Sequence, residues 1–473
     1  MNRKQRQPPR HRKSCKTESS KTQAALLRQA LEWFSSGCDF TGITLHGNVG
    51  WVPVQLVALV VLWTWSDQKT LTGAFNEARQ LATEMFGTVA VTTYQGLMGA
   101  MRAYTDQLLP LIWSHLQRLM QDVGGKHWRI GRWLPLAVDG SRATTPRTAS
   151  NEKAFAAANY GHGKRAKSRT KWKNKKRRSK RLSEPVKPQI WLTLVWHMGL
   201  KLPWCWRTGP STSSERHHLM ELLKRVVFPK NTLFCGDAGF VGYEFWKAIL
   251  DEGHSFLVRV GGNVRLLKNL GTARQQSGLV YLWPNEVARK KQPPIILRLL
   301  EFQGPRGKIY LVTNVLSESD LSAEQAGQLY TLRWGVELQF RSFKQTFQRG
   351  KLRSRTPENA LAELNWSLIG LSLIQLFAVK EQIKAGSPPA QSSVALALSV
   401  IQGAMRNWSR TVGNSESLEV GMRTSTKDPY ERSSSKRARY RPHKKDTPSA
   451  TKPIVIAATP QQRREFDALA TAA

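Results

Sequence analysis

The sequence predicts a mixed α/β protein, a sheet layer packed with helices, and three observations carry that expectation. Apolar residues recur at helical spacing from residue 23 to about residue 123. After Gly124-Gly125 they gather into short runs rich in β-branched and aromatic residues, with helical stretches between some of them. From about residue 322 the helical period returns. Strands first, then helix alternating with strand, describe one mixed layer.

Each element follows in order. Residues 1–22, rich in Lys, Arg, Pro and Ser, read as a disordered basic arm. Residues 23–125 read as an all-helical N-terminal domain of four or five helices, broken by Gly37, Gly47, the Pro53 entry, Gly87 and Pro110. Residues 133–138 form a candidate buried strand with Asp139-Gly140 at its end. The next strands are 189–196 and 202–207, then a helix over 213–227 and a strand over 231–235 that stops at Gly236-Asp237-Ala238-Gly239. A helix over 242–253 and a strand over 254–260 complete the first part of the core, 130–260. Inside it lies a basic loop, 164–181, in which twelve of eighteen residues are Lys or Arg and none is acidic, so it cannot form a core. Residues 261–316 read as a small β-rich insertion. Within the second core part, 317–410, Thr356-Pro357 starts a helix with Thr as N-cap and Pro at its first position. Residues 411–473 read as a mostly disordered basic tail with a short helix at the end.

Charge narrows the partners. A formal net charge of +39 opposes compaction unless a polyanion offsets it, which puts nucleic acid first and an anionic membrane second. The longest apolar run, 52–65, is too short for a bilayer, so no membrane partner is expected. The four cysteines show no metal or redox spacing, which favours a reducing cytosol and no zinc. The basic N-terminus lacks the apolar region and cleavage site of a signal peptide, so the expected location is cytoplasmic.

The most informative stretch is Tyr330-Thr-Leu-Arg333-Trp-Gly-Val-Glu337-Leu-Gln-Phe-Arg341-Ser-Phe-Lys344. Ser322 and Gln325 form a capping box ahead of it, and a single helix is predicted over 322–348. At about 100° per residue, Tyr330, Arg333, Glu337, Arg341 and Lys344 share one face roughly 21 Å long. A solvated face of ion pairs is the usual meaning of such a row. The spacing Tyr, two residues, Arg, three residues, Glu, six residues, Lys instead resembles the signature of the insertion-sequence-four family of bacterial DDE transposases. Asp139 in Ala-Val-Asp-Gly-Ser and Asp237 in Gly-Asp-Ala-Gly-Phe-Val-Gly-Tyr resemble that family's first two acidic motifs, in the right order. The likeness covers about residues 133–376.

That resemblance implies an RNase H-like core with a β insertion before the glutamate. It implies Asp139, Asp237 and Glu337 as catalytic metal ligands, with Tyr330, Arg333 and Lys344 on DNA; Arg341, on the same predicted helix face, joins those DNA contacts. Ala238 stands where the family commonly has Arg. Three carboxylates brought together repel one another unless cations neutralise them, and oxygen ligands select Mg²⁺ or Mn²⁺. Two such ions activate a water or 3′-hydroxyl and stabilise the leaving oxygen. The implied partners are double-stranded DNA, as transposon ends and target, and a second copy of the chain in the DNA complex. The implied setting is the bacterial nucleoid. A non-catalytic DNA-binding repressor derived from such an enzyme is the alternative. An RNA-binding protein ranks last, because the basic run holds one aromatic, Trp172.

Overall fold

The computed structural model describes residues 20–47, 49–155, 188–271, 278–304, 307–428 and 452–472. The basic loop 164–181 and nearly all of the arm 1–22 lie outside them. Four helices come first: α1 (Gln23–Ser35), α2 (Pro53–Trp65), α3 (Leu71–Phe86) and α4 (Tyr94–Gly124). Thr22, Thr70 and Thr93 cap three of them by accepting the N–H three residues on. Pro110 sits inside the 31-residue α4 without ending it, where the sequence predicts a break.

A ten-stranded sheet follows. Its strands are β1 (Leu134–Thr144), β2 (Gln189–His197), β3 (Leu202–Gly209), β4 (Thr232–Gly236), β5 (Ser255–Val260), β6 (Arg265–Lys268), β7 (Leu279–Leu282), β8 (Ile295–Gly304), β9 (Gly307–Thr313) and β10 (Ile454–Ala457). The spatial order is β10-β6-β7-β8-β9-β5-β4-β1-β2-β3. β1, β4 and β5 run parallel, β2 is antiparallel to β1, and β3 is antiparallel to β2. The insertion 261–316, predicted as a subdomain of its own, instead extends this sheet, because β9 pairs antiparallel with β5.

Helices cover the layer: α5 (Ala149–Phe155), α6 (Glu215–Leu223), α7 (Tyr243–Asp251), α8 (Asn285–Arg289), α9 (Ala323–Leu332), α10 (Gly335–Arg341), α11 (Pro357–Lys384), α12 (Val394–Arg406), α13 (Leu418–Thr424) and α14 (Pro460–Ala472). α11 is apolar and long enough by composition to cross a bilayer, yet its apolar window is wholly buried. It packs against α2, α4, β3, α12 and α13. At Gly370 it has no side chain to keep it from Thr64 of α2, and Trp65 Nε1 donates to the Gly370 carbonyl at 2.9 Å. Trp206 Nε1 donates to Asn365 Oδ1 at 2.9 Å and Trp366 Nε1 to Thr105 Oγ1 at 2.8 Å. These three indole N–H groups find acceptors across the helix and sheet interfaces. The N-terminal helices and the sheet share one contiguous core through α11.

Within the tail predicted as mostly disordered, α13 is ordered, and the short helix expected at the end is α14, preceded by a strand that the sequence does not predict. β10 adds to the sheet edge parallel to β6, and Phe466 of α14 packs edge-on against Tyr281 at 6.2 Å. Apolar positions in Ile454–Ala457 find an open strand edge, which composition alone does not reveal.

Candidate active site

The sheet creates the site by ending one ladder early. β1 pairs with β2 from Leu136↔His197 to Thr144↔Gln189, but with β4 only from Leu134↔Thr232 to Ala137↔Cys235. Asp139 and Asp237 each lie two residues beyond that last pair, Asp139 on the continuing strand and Asp237 in the turn that follows β4. Asp139 is therefore mid-strand rather than at a strand end, since β2 holds the other edge of β1 to Thr144. Asp139 Oδ1 accepts from Gly140 N at 2.8 Å, and Asp237 Oδ1 accepts from Gly239 N at 2.8 Å.

The signature stretch is not the single helix predicted. It divides into α9 and α10 at Arg333-Trp334, where Val336 N bonds Arg333 O and Glu337 N bonds Trp334 O, both at 3.1 Å. Gly335 explains the junction: a Cβ there would stand 2.5 Å from Trp196 Cζ3, so only glycine lets this turn close on β2. Past α10 the chain widens into a π-type turn over Ser342–Thr346, with Phe347 N bonded to Ser342 O at 3.0 Å. Gln339 and Gln375 pair their amides at 2.7 Å and fasten α10 to α11.

The predicted single row of side chains consequently splits. Tyr330 is buried, Arg333 is 3% exposed, and the Glu337 side chain is 43% exposed. Arg341 is exposed and donates to Gln345 Oε1 at 3.1 Å. Lys344 turns into a separate groove that Lys69, Arg349, Lys351 and Arg353 also line.

What the structure does bring together is Asp139, Asp237, Glu337 and Arg333. Arg333 Nη2 lies 3.5 Å from Glu337 Oε1, and its guanidinium sits over the rings of Tyr330 and Trp334 at 5.5 and 5.3 Å. Its Nε and Nη1 are buried without a partner among the described residues. Burial pushes the Asp139 carboxyl up to about 6; the charges of Asp237 and Glu337 push the same way, against the Gly140 N–H and Arg333.

Residues 134–373, just over half of the chain, match the family described as Transposase DDE domain. The chain belongs to that family. Transposase InsG for insertion sequence element IS4, from Escherichia coli (strain K12), is 27% identical over 275 residues. That match takes in 55% of this chain, and the chain spans 56% of the length of InsG. The family expected from the Tyr330-to-Lys344 spacing is thus the one found. A solved structure, the cryo-EM structure of the piggyBac transposase synaptic complex with hairpin DNA, aligns over 87% of this chain and 84% of its own. At 12% identity and a TM-score of 0.37, that likeness is too weak to argue from.

For a DDE-family chain the implied group is a divalent metal ion. Among the described residues no three His, Cys, Asp or Glu side chains stand ready-grouped as a metal site. The donor chemistry nonetheless fits, because all-carboxylate oxygen at a site where acids repel one another suits a hard cation.

One acid at this site escapes the sequence reading. Glu215 opens α6, and burial pushes its carboxyl up to about 7, helped by Asp139 and Asp237 and opposed by Arg142 and Arg216. The nearby His217-His218 pair draws more notice in the sequence, yet His218 is buried against Thr193 Oγ1 at 2.9 Å and is structural. A lone Glu at a helix start carries no motif; its place after the β2–β3 hairpin is the only hint. The aromatics Tyr281 and Trp283 of the insertion are both buried.

Proposed function

We propose that this chain is the DNA transposase of an insertion sequence, binding terminal inverted repeats and catalysing metal-dependent cleavage and strand transfer at Asp139, Asp237 and Glu337. One observation carries this reading: three carboxylates from β1, the turn after β4 and α10 share one electrostatic field beside a buried arginine. The strand order β3-β2-β1-β4-β5 with only β2 reversed among β1, β2, β4 and β5 supports an RNase H-like core. β6 to β10 then form its β-rich insertion and edge, and α1 to α4 are the elements offered for end recognition.

Asp139, Asp237 and Glu337 would hold Mg²⁺ or Mn²⁺, as two ions. When bound, such ions lower the pKa of an attacking water or 3′-hydroxyl and stabilise the leaving oxygen. The carboxylates must draw together to do so, and neutralising their repulsion favours that movement. Arg333 stands beside the acids, with Nη2 3.5 Å from Glu337 Oε1, and its guanidinium is suited to a phosphate oxygen at the reacting centre. Tyr330 holds the guanidinium in place from beneath. Arg341 and Lys344 lie further along and are assigned to the DNA backbone. The partners are transposon-end and target DNA, with two copies of the chain in the complex, in the bacterial cytoplasm.

The test is cleavage of a labelled end duplex with Mg²⁺ or Mn²⁺. Asp139→Asn, Asp237→Asn and Glu337→Gln should each abolish nicking and strand transfer while end binding persists, and double variants should be no worse than singles. An Asp237→Asn protein that nicks at the wild-type rate would falsify the assignment. Wild type that binds ends but never cuts favours the repressor.

A further inference from the structure

We propose that Glu215 is a fourth carboxylate of the metal site, reaching the cation from the side of Asp139 and Asp237. The inference rests on the metal-dependent reading above and adds a ligand to it.

Placement is the first ground. Glu215 packs its carboxyl over the bare Cα of Gly140: a Cβ at 140 would overlap Oε1 and stand 2.5 Å from Cγ. On its other side Oε2 is 3.9 Å from where a Gly239 Cβ would be. Gly140 and Gly239 are the residues whose N–H groups bond Asp139 and Asp237. The Glu215 carboxylate is thus wedged between the two aspartate turns, in a space that glycine at 140 keeps open.

Absence of a local role is the second. An acid at the first position of a helix ordinarily turns back to the helix N–H groups. The Glu215 carboxylate has no hydrogen bond or ion pair among the described residues, and Ser214 makes no side-chain cap. Arg142 and Arg216 are near enough to be felt, but Arg142 stacks on Trp191 at 4.5 Å and Arg216 donates to the Val241 carbonyl at 2.6 Å.

The third ground is independent of the acids. Arg333, 3% exposed, turns Nη2 to Glu337 at 3.5 Å, its charge is felt by Asp139, and its Nε and Nη1 are without a partner among the described residues. A buried guanidinium with two free donors is costly unless a ligand completes it. The centre is therefore built for an occupant carrying both cation and anionic oxygen. A carboxylate held facing it without a partner serves the cation.

The experiment measures Mn²⁺ binding to the full-length protein, by the electron paramagnetic resonance signal of free Mn²⁺, for wild type, Glu215→Gln, Glu215→Ala, Asp139→Asn and Glu337→Gln. Both Glu215 variants should weaken Mn²⁺ binding at least about tenfold, since loss of even an outer partner costs that much. Glu215→Gln keeps the shape and removes a repelling charge, so its melting temperature without metal should equal or exceed that of wild type. Weaker binding with an unchanged or higher melting temperature supports the ligand role. Wild-type Mn²⁺ binding in both Glu215 variants, with Asp139→Asn and Glu337→Gln impaired, overturns the inference alone. Unchanged binding in all four variants overturns the metal reading itself. Weaker binding accompanied by a drop in melting temperature in both Glu215 variants makes the residue structural and also overturns the inference.

Discussion

The two halves of the segment from Tyr330 to Lys344 look alike in sequence, each setting basic charge among aromatics, and behave differently in the fold. The first half turns inward: Tyr330 and Arg333 are buried, and Glu337 meets the aspartates. The second half leaves the α-helical path through a π-type turn and carries Lys344 into another basic groove. Proximity in sequence therefore does not mean one surface. One half gathers beside the carboxylates, the other lines a basic groove.

The sharpest way to break that contrast is to remove one cation from each half. Arg333→Ala should lower the cleavage rate at saturating DNA by about 10²–10³-fold, the scale of losing one preorganised electrostatic donor. Equal loss in Lys344→Ala would erase the distinction. Next in size is the junction that separates the halves. Gly335→Ala must displace the Trp196 ring, and overpacking of this kind costs about 1–3 kcal/mol in urea unfolding; an unchanged midpoint would show the turn has room to spare. Lys344→Ala should leave the cutting rate of bound ends nearly intact and flatten the salt dependence of binding by about one unit of slope. A selective loss on specific ends over random duplex would contradict a backbone role.

The smallest effect concerns the inward half alone. The Asp139 carboxyl is pushed up in the folded state, so the folded chain binds the extra proton more tightly than the unfolded one. Its contribution to stability is full below the ordinary aspartate range, near pH 4, and is lost as pH rises through about 6. Without metal, the melting temperature of wild type relative to Asp139→Asn should fall by about 2 °C between pH 5 and pH 8. Taking the difference between the two proteins cancels the repulsion of their shared positive charge. A flat difference would mean the carboxyl is already solvated.

Legibility followed the range of the interaction. The strands over 189–197, 202–209 and 232–236 and the capped helix at Thr356-Pro357 are local patterns, and they lie close to where periodicity and turn residues put them. The family could be read without coordinates, because its signature is a spacing along the chain. What could not be read depends on distant partners. The break at Gly335 exists because Trp196 lies against it, and β10 is a strand because β6 offers an edge. Pro110 is tolerated within α4 although its ring removes a hydrogen bond, because the helix is held by packing on α11. Glu215 belongs to the same class: nothing in its neighbourhood of sequence tells that Gly140 lies beneath it.

The burial of α11 also bears on the order in which the chain is made. As it leaves the ribosome this segment is greasy enough to be mistaken for a membrane anchor. Three of the elements that cover it, α2, α4 and β3, precede it in the chain and have already emerged. Domains fold as units during synthesis at about 5–20 residues per second. The 28-residue segment can therefore be covered on those sides as it appears, and only the faces that wait for α12 and α13 are left open to chaperones for a few seconds more.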